Sequence, residues 1–139
     1  MKQLFLLLIL LNSYSLFSQS AYDQIQETLQ NYLQGTSYNR PEQIKKGFHE
    51  DANLYLTNKE KSLWIVPIVE YAGWFAKREK DVFNGRKGKI LAVDIENDIA
   101  MAKAEITQTK NSKVYIDIFL LKRIEGAWKI ISKAATTRN

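Results

Sequence analysis

From residue 21 onward the apolar positions follow two successive periods. Tyr22, Ile25, Leu29, Tyr32 and Leu33 are separated by three, four, three and one residues, the single apolar face of a helix over 21–35. Gly35 is the expected stop. Asn39-Arg40-Pro41 reads as a second helix start with proline in its first turn, and Ile44 with Phe48 continues that helix at i, i+4. Ala52 to Leu56 then forms a short strand, Asn58 to Lys61 a polar turn, and Ser62-Leu63-Trp64-Ile65 pairs back. Pro67 opens a third helix, on which Ile68, Tyr71, Ala72 and Phe75 share a face. Beyond it the pattern alternates in strands over 89–96, 99–109, 113–123 and 127–137, joined at Asn97-Asp98, Asn111-Ser112 and Glu125-Gly126. This order predicts an α+β fold, with three helices packed on one face of a curved antiparallel sheet.

The first twenty residues obey neither period. Met1-Lys2-Gln3 is followed by eight apolar residues, Leu4 to Leu11, and by a small and polar stretch ending Ser18-Gln19-Ser20. This is the pattern of a cleaved export signal, with the cut before Ala21 and a single domain over 21–139. The apolar run is too short for a transmembrane anchor, which needs about 20 residues. The expected location is therefore periplasmic or secreted, in a bacterium. Loss of Lys2 lowers the formal net charge from +5 to +4.

Composition narrows the chemistry. A chain of 139 residues suits one domain, and 45% hydrophobic with 12% aromatic content excludes a disordered chain. The absence of cysteine removes disulfides, thiolate zinc sites and cysteine nucleophiles. With one histidine, His49, which falls at a helix end where a surface position is expected, no metal site and no cofactor is read. An exported chain has no nucleic-acid partner to meet. Lys77, Arg78, Lys80, Arg86, Lys87 and Lys89, against Glu79 and Asp81, carry a net +4. That run reads as a solvated loop, with steering of anionic ligands or contact with anionic lipid as the alternative.

A few side chains stand out as candidates for binding. Asp117 shares its strand face with Tyr115, Phe119 and Leu121, so it is expected to be desolvated, with a raised pKa and a proton to donate. The alternative is a pair with a lysine, an arginine or a backbone amide. Tyr32 lies on the buried face of the first helix, where its hydroxyl needs a partner. Trp64, Tyr71, Trp74 and Phe75 form an aromatic cluster suited to a flat apolar or aromatic ligand, whereas Trp128 is assigned to the core. Ala100, Ala102 and Ala104 alternate with Lys103 and Glu105, and this small-residue face is expected to pack closely against something large, such as a second copy of the chain.

Gly47-Phe48-His49-Glu50-Asp51-Ala52, then Tyr115 to Lys122, and Gly126-Ala127-Trp128-Lys129-Ile130 with Lys133, resemble the motifs of the nuclear transport factor 2-like superfamily. Within it they are most similar to a lumazine-binding-like group of exported bacterial proteins. The resemblance implies a cone whose sheet wraps a pocket closed by helices, and often a homodimer through the outer sheet face. Ketosteroid isomerase, of the same superfamily, uses a tyrosine and a protonated aspartic acid as an oxyanion hole beside an aspartate base. By that likeness Tyr32, sixteen residues before Phe48, and Asp117 take the oxyanion positions, while the base position is Leu56. The implied site has donors and no base. The expected function is thus non-catalytic binding of a small molecule by Tyr32, Trp64, Tyr71, Asp117 and Phe119. An isomerase- or cyclase-like enzyme using Asp117 and Tyr32, and a protein-interaction or dimerisation module, are the competing readings.

Overall fold

The computed structural model describes residues 19–138; the expected export signal lies almost entirely outside them. Helix α1 spans Ala21–Ser37, and the Ser20 hydroxyl caps it by accepting the Asp23 amide at 3.1 Å. The helix passes through Gly35 instead of stopping there, and the chain turns at Asn39, whose φ is 56°. Gly35 serves packing: a Cβ there would meet Ile44 Cγ1 at 2.7 Å and Ile44 N at 2.8 Å. Its bare backbone lets α2, Pro41–Gly47, lie against α1. Phe48 does not extend α2 as its spacing suggested. It adopts extended geometry (φ −107°, ψ 156°) and begins β1, Phe48–Leu56.

The remaining elements are β2 (Trp64–Pro67), α3 (Ile68–Ala76), β3 (Arg86–Glu96), β4 (Ile99–Gln108), β5 (Lys113–Ile124) and β6 (Ala127–Thr137). They form one six-stranded sheet in the order β2-β1-β6-β5-β4-β3. The sheet is mixed, not wholly antiparallel: β1 and β6 run parallel and every other pair is antiparallel. The cause is topological. β6 turns back from β5 in a hairpin and then slots beside β1, which leaves α2 in the same direction.

Core and outer faces separate cleanly. Ile25, Leu29 and Leu33 of α1 share one core with Ala100, Ala102, Ala104 and Ile106 of β4, each at most 3% exposed. The alanine face therefore points inward, and the close packing expected of it occurs within the chain. The outward face of β4 and β5 carries Met101, Ile118 and Leu120 instead, each about half exposed. A bulge further shapes the sheet. Leu120 pairs with Ser132 and Leu121 with Ile130, which leaves Ile131 as the extra residue. Trp128 and Ile130 are buried before it and Lys133 after it, so the alternation of β6 changes parity at that point.

Candidate functional site

A cavity of about 670 Å³ opens between β2, α3 and the inner face of the sheet. Trp64, Tyr71, Trp74, Phe75 and Tyr115 supply aromatic walls, and Leu56 contributes at β1. The rings form a connected series. Trp64 stacks on Trp74 at 5.2 Å and 28°, Trp74 meets Tyr71 at 5.2 Å, and Tyr71 meets Phe75 at 5.4 Å. Pro67 starts α3 so that Tyr71, Trp74 and Phe75, at steps of three and one, turn toward one region.

The polar floor centres on Asp117. Its Oδ2 accepts from the Tyr32 hydroxyl at 2.6 Å and from Lys133 Nζ at 3.0 Å. The Tyr32 and Tyr71 hydroxyls lie 3.3 Å apart, and Lys133 Nζ sits 5.3 and 5.5 Å from those two ring centroids. Cation–π attraction and the ion pair thus hold one ammonium group from three sides. Asp117 is an acceptor here, not the proton donor expected from its aromatic surroundings, because a buried cation and a phenol both aim at it. Burial, the Asp117 charge and Tyr71 raise the Tyr32 pKa well above 10.0, and a smaller opposing effect of Arg86 does not reverse this. The phenol keeps its proton and donates a hydrogen bond to the carboxylate.

The profile of the family described as "Putative lumazine-binding" matches residues 20–134. The chain belongs to this family. Solved structures agree on the nuclear transport factor 2-like fold. A protein of unknown function from Shewanella baltica superposes with a TM-score of 0.75 at 21% identity, over 88% of this chain and 99% of that one. One from Methylobacillus flagellatus, also of unknown function, gives 0.72 at 24%, over 88% and 97%. A third, from Cytophaga hutchinsonii, gives 0.64 at 14%, over 86% and 100%. At these identities the likeness is one of fold. No curated protein matches the chain.

In this lumazine-binding-like fold, Trp64, Tyr71 and Asp117 line the cavity. Tyr32 and Phe119 do not reach it. They are 0% and 1% exposed and form the layer behind its floor, packed edge to face at 5.3 Å. Leu56, at the position matching the isomerase base, faces the cavity as an apolar group. His49 lies outside it, at the start of β1 beside Glu50 and Asp51, and its Nδ1 accepts the Asp51 amide at 3.2 Å.

Lys133 and Arg86 are among the cavity residues that the sequence pattern did not reveal. Lys133 belongs, by simple alternation from Trp128 and Ile130, on the outer face of β6; the Ile131 bulge turns it inward. Arg86 is hidden in a basic run that reads as a loop, yet it is the first residue of β3 and lines the cavity. Gly85 at φ 93° was the available signal, since it marks a turn whose end starts a strand. The other basic side chains of that run, Lys77, Arg78, Lys80, Lys87 and Lys89, are exposed as a solvated run requires, while the backbone around them is held in place. Asn39 Nδ2 donates to the Glu79 and Val82 carbonyls, Asn84 Nδ2 to the Thr36 carbonyl, and Arg40 pairs with Asp81 at 2.6 Å.

Proposed function

We propose that this chain is an exported protein that binds a flat aromatic small molecule without transforming it. One observation carries the reading. An aromatic-walled cavity of about 670 Å³, within the usual size of a ligand pocket, has a single carboxylate in its lining, and that group is bound to Lys133 and Tyr32. An isomerase-like oxyanion hole needs Tyr32 to donate to the substrate; here the hydroxyl donates to Asp117 from behind the floor. Leu56 offers no base. These features weigh against the enzyme reading and for simple binding.

Export rests on the Lys2 and Leu4 to Leu11 pattern. Among the described residues no helix is long and apolar enough to cross a membrane. A homodimer through the outer sheet face is supported by Met101 and Leu120, which are register partners on β4 and β5, with Ile118 beside them.

Native mass spectrometry of the protein purified from an exporting bacterium tests the whole reading. A small-molecule adduct that is released on denaturation, together with a mass beginning at Ala21, is the expected result. A spectrum free of adduct, with added flat aromatic compounds also failing to bind, overturns the binding reading. An added compound that is converted overturns its non-catalytic part.

A further inference from the structure

The cavity's charges specify the ligand more narrowly than its rings do. Arg78, Arg86, Lys113 and Lys133 line it, against the single carboxylate of Asp117. Lys133 is matched by Asp117 at 3.0 Å. Among the described residues the side chains of the other three have neither an ion-pair partner nor a hydrogen-bond acceptor. Arg78 and Lys113 are exposed, and water satisfies them.

Arg86 is different. It is partly buried, its Nε is sealed from solvent, and among the described residues that nitrogen has no hydrogen-bond partner. Its register partner across β3 and β4 is Gln108, whose Oε1 is likewise buried and unpartnered. Both residues line the cavity, but these two atoms are covered by protein, so a molecule in the cavity meets Arg86 at its terminal Nη groups. Native structures seldom leave such groups open, because each loses its water without replacement. Burial tends to lower the Arg86 pKa, but Tyr71, Tyr32, Asp117 and Tyr115 more than offset it, and the guanidinium stays charged.

The apolar wall continues from that cation. Arg86 Cζ lies 5.9 Å from the Phe75 ring, and Phe75 leads through Tyr71 to the Trp74–Trp64 stack. A planar fork of donors at one end of a series of rings matches a molecule with a planar anion at one end of an aromatic system. Resting on the binding role proposed above, we infer that the cavity is selective for flat aromatic carboxylates, with the carboxylate on Arg86 and the ring system along the aromatic wall of α3. Lys113 and Arg78 at the rim draw the anion in.

Matched probes test this on the unmodified protein. Binding of 2-naphthoate and anthracene-2-carboxylate is compared with their uncharged primary amides and with 2-naphthyl phosphate, by calorimetry and by quenching of tryptophan fluorescence. Loss of a charge-assisted contact of this kind corresponds to roughly a 10- to 100-fold preference for carboxylate over amide. That preference should vanish in Arg86→Gln and partly survive in Arg86→Lys, which keeps the charge and loses the fork. Amides binding as tightly as carboxylates would overturn the inference and leave the binding role standing. A tighter aryl phosphate would overturn the assignment to carboxylates. If no member of the set binds, both the inference and the binding role fail. The wild-type comparison decides even if an Arg86 variant fails to fold.

Discussion

Lys133 reaches across from β6 to place its ammonium group 3.0 Å from Asp117 on β5, and the two side chains are only 3% and 2% exposed. Neither charge has water to fall back on. Removing one partner strands the other, at a cost of about 3–5 kcal/mol, whereas replacing both with apolar residues of similar size is often close to neutral. Asp117→Asn and Lys133→Met should each lower the urea midpoint sharply, while Asp117→Leu combined with Lys133→Met should recover much of the loss. A double variant as unstable as the sum of the two singles would show that the pair is not the source of the effect.

The buried phenol of Tyr32 gives stability a specific alkaline limit. Its folded pKa is raised above 10.0, so between the unfolded and folded values the native state holds a proton that the unfolded chain has released. The contribution is complete below about pH 10 and is lost as pH rises through the folded value. Tyr32→Phe should cost roughly 1.5–3 kcal/mol at neutral pH through the lost bond to a carboxylate. Its stability curve should approach that of the wild type above pH 10. Parallel curves in denaturant titrations up to pH 12, about two units above the free tyrosine value, would contradict this account.

Gly35→Ala sets two effects against each other. Helix propensity favours alanine by about 1 kcal/mol. The added Cβ, however, would lie 2.8 Å from the backbone nitrogen of Ile44, an atom that cannot swing aside. Overpacking of this kind costs about 1–3 kcal/mol, so net destabilisation is expected, with α1 and α2 forced apart. Thermal unfolding of Gly35→Ala beside Gly73→Ala checks it. Gly73 has nothing within 4 Å of its added Cβ, so that variant should gain stability.

The outer sheet face predicts assembly. Leu120→Lys, opposite Met101 in the register, puts a charge at the centre of the exposed apolar patch and should convert a dimer to a monomer in sedimentation velocity, without changing the melting behaviour of the isolated chain. Ala102→Leu should act differently. It fills a site 3% exposed inside the core, and should reduce stability without acting through the outer face.

The elements were legible in the sequence because each carries a single period. α1 buries Ile25, Leu29, Tyr32 and Leu33 along one stripe, β4 alternates buried and exposed from Ile99 to Ala104, and β5 does so from Asp117 to Leu121. Asp117 was recognisable for the same reason, since Tyr115, Phe119 and Leu121 share its face. What alternation could not reveal was set by contacts distant in the chain. The parallel pairing of β1 with β6 depends on where the last hairpin docks, and the inward turn of Lys133 on one extra residue at Ile131. The direction of the alanine face was ambiguous because small residues suit both a crowded core and a close interface; the larger residues of the other face, Met101 and Leu120, lie outside. Tyr32 stood out by type and spacing, but only three-dimensional packing shows that it braces the floor.

The central position of β6 has a consequence for how the molecule is made. The last strand in chain order lies between β1 and β5, so β1 and β2 cannot join the rest of the sheet until residues 127–137 are available. Lys133, the partner that neutralises Asp117, arrives with that strand. A nascent chain therefore carries an incomplete sheet and an unmatched carboxylate until residues 127–137 have left the ribosome, and these non-local pairings then close slowly. Such an order of assembly leaves the sheet open until its last strand arrives, a state suited to the export proposed above.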